Sequence, residues 1–123
     1  MKINYVEHKS GKKLFSFHRY DYKEYGNWDD FVMIDGGWDY VRYSGLLKEA
    51  DVSEVFEDIR EQFQWGKNKN KDGSVLEKTQ WILLKDLETD HLEAILQYFL
   101  ENKNCDHPNY QILKYELEYR KTL

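Results

Sequence analysis

At Asp51 the hydrophobic pattern of the chain changes period, and that change limits the folds open to it. Before this point, aromatic and β-branched residues come in short runs separated by turn residues, the pattern of strands. After it, Val52, Val55, Phe56, Ile59 and Phe63 recur at i, i+3, i+4, i+7 and i+11, which places them in one helical stripe. A chain of 123 residues can bury one real core and not two. The expectation is a single α+β domain over residues 1–123. Its antiparallel sheet would have four or five strands, from two hairpins plus a short strand near 79–84, with three helices (about 52–65, 90–102 and 108–121) on one side.

The first hairpin joins residues 3–7 and 14–22 across Lys9-Ser10-Gly11-Lys12. The second joins residues 31–34 and 38–43 across Asp35-Gly36-Gly37, where glycine allows the positive φ of a tight reversal. Between them, Gly26-Asn27-Trp28-Asp29-Asp30 has turn chemistry and no periodicity. Asp51 with Glu54 resembles a capping box for the first helix, and Gly66 stands where that helix would end in a left-handed turn. Residues 67–74 read as an exposed loop. Thr89 would cap a second helix carrying Leu92, Ile95, Leu96 and Phe99, and Pro108 would open a third with Tyr110, Leu113 and Leu117 aligned.

Aromatic residues make up 16% of the chain and charged residues 33%, which describes a globular core built largely from rings and excludes disorder. No apolar run is long enough to span a bilayer, and the first eight residues lack the apolar centre of a signal peptide, so the cytoplasm is the expected location. The single Cys105 permits no internal disulfide. The net charge of −5 is uneven: residues 1–50 hold eight basic and eight acidic groups, residues 51–123 ten and fifteen. That sign argues against general nucleic-acid binding, whose affinity comes mostly from neutralised phosphates.

Motifs of known chemistry are scarce. The chain has no phosphate-binding Gly-x-x-x-x-Gly-Lys loop, no dinucleotide fingerprint, no Gly-x-Ser-x-Gly elbow and no His-Glu-x-x-His. Cys105 and His107 stand alone beside a helix start, so neither a metal nor a cofactor is expected. Asp29, Asp30, Asp35 and Asp39 are explained by turn chemistry, with a divalent-cation site or a general acid/base pair as the alternatives. Ser44 offers a hydroxyl without an identifiable base.

Three groups remain as candidates. His91 falls just inside a helix N-terminus, where the positive helix end disfavours an imidazolium; it would either lock the strand-to-helix turn or act as a general acid/base. Lys67, Lys69 and Lys71 form a locally basic loop able to hold a phosphate, beside Trp65, which would either pack in the core or stack on a ligand ring. Trp38, Tyr40 and Arg42 would share one face of an extended strand and make an aromatic binding surface.

From Trp65 onward the chain resembles small accessory proteins of bacteriophages and prophages. The likeness lies in the order of short motifs: Trp65-Gly66, the Lys/Asn/Gly loop, Trp81-x-x-Leu84, Asp86-Leu-x-Thr-x-His91-Leu92 and Glu116-Leu-x-Tyr-Arg120, with a less specific match over Asp35-Gly-Gly-x-x-Tyr-Val-Arg-Tyr-Ser-Gly45. Residues 1–25 lie outside it, and Asn68-Lys69-Asn70 departs from a more glycine-rich pattern. Most such proteins have no assigned activity. The resemblance implies an accessory role inside the host cell, where small phage proteins commonly bind a host protein or a signalling molecule. The leading expectation is thus a non-enzymatic binder of a host protein through the aromatic hairpin and Trp65. The alternatives are a binder of a small nucleotide and a small enzyme using His91. Exposed hairpin edges need cover, so a homodimer is also open.

Overall fold

The N-terminal hairpin forms, but its first strand, β1 (Lys2–Glu7), takes two partners. On one side it pairs with β2 (Lys13–Leu14), on the other with β6 (Leu47–Asp51), in the antiparallel register Ile3↔Ala50 and Tyr5↔Lys48. β2 is only two residues long, and the backbone beside its pairing with β1 is bonded by a side chain. The Gln62 amide donates to the Lys13 carbonyl at 2.6 Å and accepts from the Phe15 N–H at 3.1 Å. Phe15, Ser16 and Phe17 are then all buried in succession, a pattern no half-exposed strand can show.

The computed structural model describes every residue except Lys71 and falls into two compact units, Met1–Gln62 and Phe63–Leu123. In the first unit a second sheet has the order β3-β4-β5, from β3 (Lys23–Tyr25), β4 (Val32–Asp35) and β5 (Arg42–Ser44). Val6 and Leu14 of one sheet and Val32 and Ile34 of the other bury one another, with Val41 and Leu47 packed at the edge. Phe15 continues this core through Tyr5 (ring centroids 5.6 Å) and Phe17 (6.0 Å). Helix α1 (Val52–Arg60) follows β6 directly, with the Asp51 carboxylate accepting from the Ser53 N–H at its start. Val52, Val55, Phe56 and Ile59 are buried as their spacing required.

The second unit opens with a long hairpin, β7 (Gln64–Lys69) and β8 (Val75–Leu83), followed by a single 3-10 turn (Leu84–Asp86) and the helices α2 (Thr89–Glu101) and α3 (Pro108–Lys121). Leu92, Ile95, Leu96 and Phe99 form the buried stripe of α2. Phe99 is the hub of a ring cluster, with Tyr110 at 5.7 Å, Trp65 at 6.1 Å and His107 at 6.2 Å. The helix pair is tied by Arg120. Its guanidinium pairs with the fully buried Glu116 (2.6 Å) and donates to the Leu84 carbonyl (3.0 Å) and the Thr89 hydroxyl (3.1 Å).

Several expectations need correction. Three small antiparallel sheets of three, three and two strands stand among the described residues in place of one sheet of four or five. α1 ends at Arg60, not near 65, because Glu61 and Gln62 turn the chain and the Gln62 amide is committed to β2. Phe63 is buried but lies past the helix. Gly66 is not a helix cap. It sits in β7 opposite Trp81, and a Cβ there would come within 3.1 Å of the indole, so glycine lets that ring lie against the backbone. The first three residues of the expected loop at 67–74, Lys67 to Lys69, belong to β7, with a bulge between Lys67 and Lys69. Thr89 is the first residue of α2 and not its cap; its hydroxyl serves Arg120. Pro108 does occupy the first turn of α3, capped by His107, whose Nδ1 accepts from the Asn109 N–H at 3.0 Å.

Candidate functional site

The aromatic strand expected at residues 38–43 does not exist as such. Gly36 and Gly37 take the positive φ foreseen for them, but the reversal continues to Tyr40, and pairing with β4 resumes only at Arg42 opposite Asp35. Trp38 and Tyr40 are therefore turn residues, and the common extended face for Trp38, Tyr40 and Arg42 is lost. Trp38 is half-buried, its ring 6.3 Å from Phe17. Tyr40 is exposed, with the Arg19 guanidinium 5.7 Å above its ring, and Arg42 pairs with the buried Asp35 carboxylate. Trp65, the fourth aromatic candidate, packs on Phe99.

Sequence reading passed over a more exposed tryptophan. Trp28 is 100% exposed, at the tip of the turn that joins β3 to β4. The turn itself is tightly held. Asp30 accepts from the Asn27 N–H, and its own N–H donates to the Asn27 carbonyl at 3.2 Å. The second carboxylate oxygen lies 3.0 Å from His8 Nε2 and 3.4 Å from Lys9 Nζ. His8 Nδ1 accepts from the Ser10 N–H at 3.1 Å, so in the neutral ring the proton sits on Nε2, facing Asp30. The contact is off the line of a straight hydrogen bond, and its closeness makes it an electrostatic one. The Asn27 N–H first, and His8 after it, hold the Asp30 carboxyl below the usual carboxylate range. Gly26, at φ +103°, completes the clamp, since a Cβ there would lie 2.6 Å from Asp30 Oδ1.

Around Trp28 the surface stays aromatic and acidic. Tyr25 and Phe31 border an open depression of about 570 Å³ beside it, and Glu24 and Asp29 are exposed nearby. Tyr25 is braced from behind by an edge contact with His8 at 4.9 Å. The available signal was a tryptophan inside Gly-Asn-x-Asp-Asp, where its neighbours at strand spacing, Gly26 and Asp30, could not bury it.

The second unit brings together candidates that lie far apart in sequence. A cleft of about 610 Å³ has Lys67 and Lys69 on one wall and His91 on the other. Lys67 pairs with Gln80 across the hairpin, and Trp65 with Ile82, so these four side chains share a face. Trp65 uses that face to meet Phe99, while Lys67, Gln80 and Ile82 line the cleft. Opposite them, Asp86 and Glu88 come from the 3-10 turn and the residues after it, and Asp90, His91 and Ala94 from α2. Arg120 anchors both ends of that wall by bonding Leu84 and Thr89. Burial first, and then the Lys67 ammonium, hold the His91 imidazole below its ordinary pKa, with Glu88 pulling the other way. Lys71 lies outside the described residues.

Among the described residues no cluster of three or more His, Cys, Asp or Glu side chains could hold a metal ion, and no helix is long and apolar enough to cross a membrane. The search of family models, of curated proteins and of solved structures finds nothing that matches the chain.

Proposed function

We propose that the chain is a non-enzymatic accessory protein, of the phage-derived kind its sequence resembles, and that it acts by binding a protein of the host cell through the turn at residues 26–31. The observation that carries this reading is Trp28, wholly exposed on a turn whose conformation is fixed by Asp30. An indole left in water has about 150–250 Å² to bury on association, and tryptophan is among the residues that most often anchor an interface. The clamp adds to this, because a side chain presented from an ordered backbone loses less freedom on binding. Exposed Glu24 and Asp29 beside the ring give the partner its chemistry: an apolar slot with a basic rim.

The test is capture from host lysate by the tagged chain, followed by affinity measurement with the purified partner. Trp28→Ala should weaken the complex at least about 30-fold, a loss of about 2 kcal/mol. Leu46→Ala, which removes another exposed apolar side chain of the same unit, should leave it unchanged. Equal affinity of the Trp28 variant and the parent chain would overturn the reading.

A further inference from the structure

The cleft of the second unit has features that a protein-docking turn does not need. We propose that it is a binding site for a nucleoside monophosphate, with the phosphate on Lys67 and Lys69 and the nucleoside against the opposite wall. The argument begins with charge. Two ammonium groups stand on the hairpin, three carboxylates (Asp86, Glu88 and Asp90) stand across the cleft, and among the described residues no ion pair joins the two sets. A ligand that matches this layout is negative at one end and rich in hydrogen-bond donors at the other. A nucleotide has that polarity: its phosphate accepts from lysines, while its ribose hydroxyls and exocyclic amine donate to carboxylates.

Size agrees: about 610 Å³ lies within the range of small-molecule sites, and three apolar residues stand among the polar ones that line it. Ile82 on the hairpin side, and Leu87 and Ala94 on the other, supply apolar surface against which a base can rest. Gln80 offers both a donor and an acceptor to a base edge. His91, kept neutral by burial and by Lys67, offers the same pair of functions without repelling the donor groups of the nucleoside. Trp65, engaged with Phe99, has no stacking part in this arrangement.

The site is independent of the Trp28 turn, and its test separates the two. Isothermal titration of the full chain with AMP, GMP, CMP and UMP should show binding of at least one, with inorganic phosphate and the matching nucleoside each at least tenfold weaker. Lys67→Glu with Lys69→Glu should abolish it; should that pair of reversals lower the melting temperature, Lys67→Gln with Lys69→Gln should still cost at least tenfold. Lys114→Glu, an exposed reversal on α3 outside the cleft, and Trp28→Ala should both bind as the parent does. No heat with any of the four nucleotides at millimolar concentration would overturn the proposal. So would undiminished binding by the lysine variants, or phosphate binding as tightly as the nucleotide.

Discussion

The turn at residues 26–31 and the cleft beneath the β7–β8 hairpin are both surfaces, but they are built in opposite ways. In the turn, the polar groups engage one another and the apolar group is left over: Asp30 accepts from Asn27 and lies against His8 and Lys9, while Trp28 packs on nothing in this chain. In the cleft a few apolar groups stand among the polar ones, and charged groups of both signs face each other across open space. The first arrangement suits a partner that brings a hydrophobic slot of its own. The second suits a ligand small enough to enter and polar enough to answer both walls. Exposure alone would not have separated them; what separates them is which class of side chain the local structure leaves unpaired.

The largest effect expected from a single change concerns the support of the cleft. Arg120→Ala removes the guanidinium that pairs with fully buried Glu116 and holds Leu84 and Thr89, so chemical denaturation should show a loss of about 3–5 kcal/mol. A loss below 1 kcal/mol would mean that the wall carrying Asp86, Glu88 and His91 is held by packing alone. Next comes Trp28→Ala, which should cost about 2 kcal/mol in partner affinity and leave stability within about 0.5 kcal/mol, because the removed ring touches nothing. A large stability loss would show that the indole is packed after all.

Smaller still is Asp30→Asn. It keeps the shape of the clamp and removes its charge, so amide exchange at residues 27–30 should speed up and partner affinity should fall about fivefold, through lost order and no lost contact. Unchanged exchange would place the order of the turn in Gly26 and the backbone alone.

The smallest expected effect is a titration. His91 has a lowered pKa in the fold, so its contribution to stability is present above the unfolded value of about 6.5 and is lost as pH falls through the folded value. Lys67→Gln removes one of the two opposing influences and leaves burial, so nuclear magnetic resonance should find the His91 pKa higher than in the parent and still below its ordinary value. No rise would mean that Lys67 does not face the imidazole.

What could be read from the sequence was local. The buried faces of α1 and α2 follow from their stripes, and the start of α3 from Pro108, because each is decided by residues within a few turns of one another. The end of α1 was not readable: Phe63 continues the helical spacing by coincidence, while the interaction that stops the helix belongs to Gln62 and a strand nearly fifty residues earlier. The long hairpin was hidden by composition, since Lys67, Asn68 and Lys69 have little strand preference of their own and are placed by pairing with β8. Lys67, Lys69 and His91 were each visible as candidates. That they line one cleft depends on the register Lys67↔Gln80 and on the anchoring of α2 by Arg120, neither of which is written in any short window. Trp28 was overlooked because a turn sequence draws attention to its glycine and aspartates, which here hold the ring in place.

Hydrogen exchange of the chain alone and loaded with its captured protein partner tests the central claim most directly. Protection concentrated on residues 24–31 in the complex is the expected result. Protection confined to other segments, with residues 24–31 exchanging as in the free chain, would contradict the account.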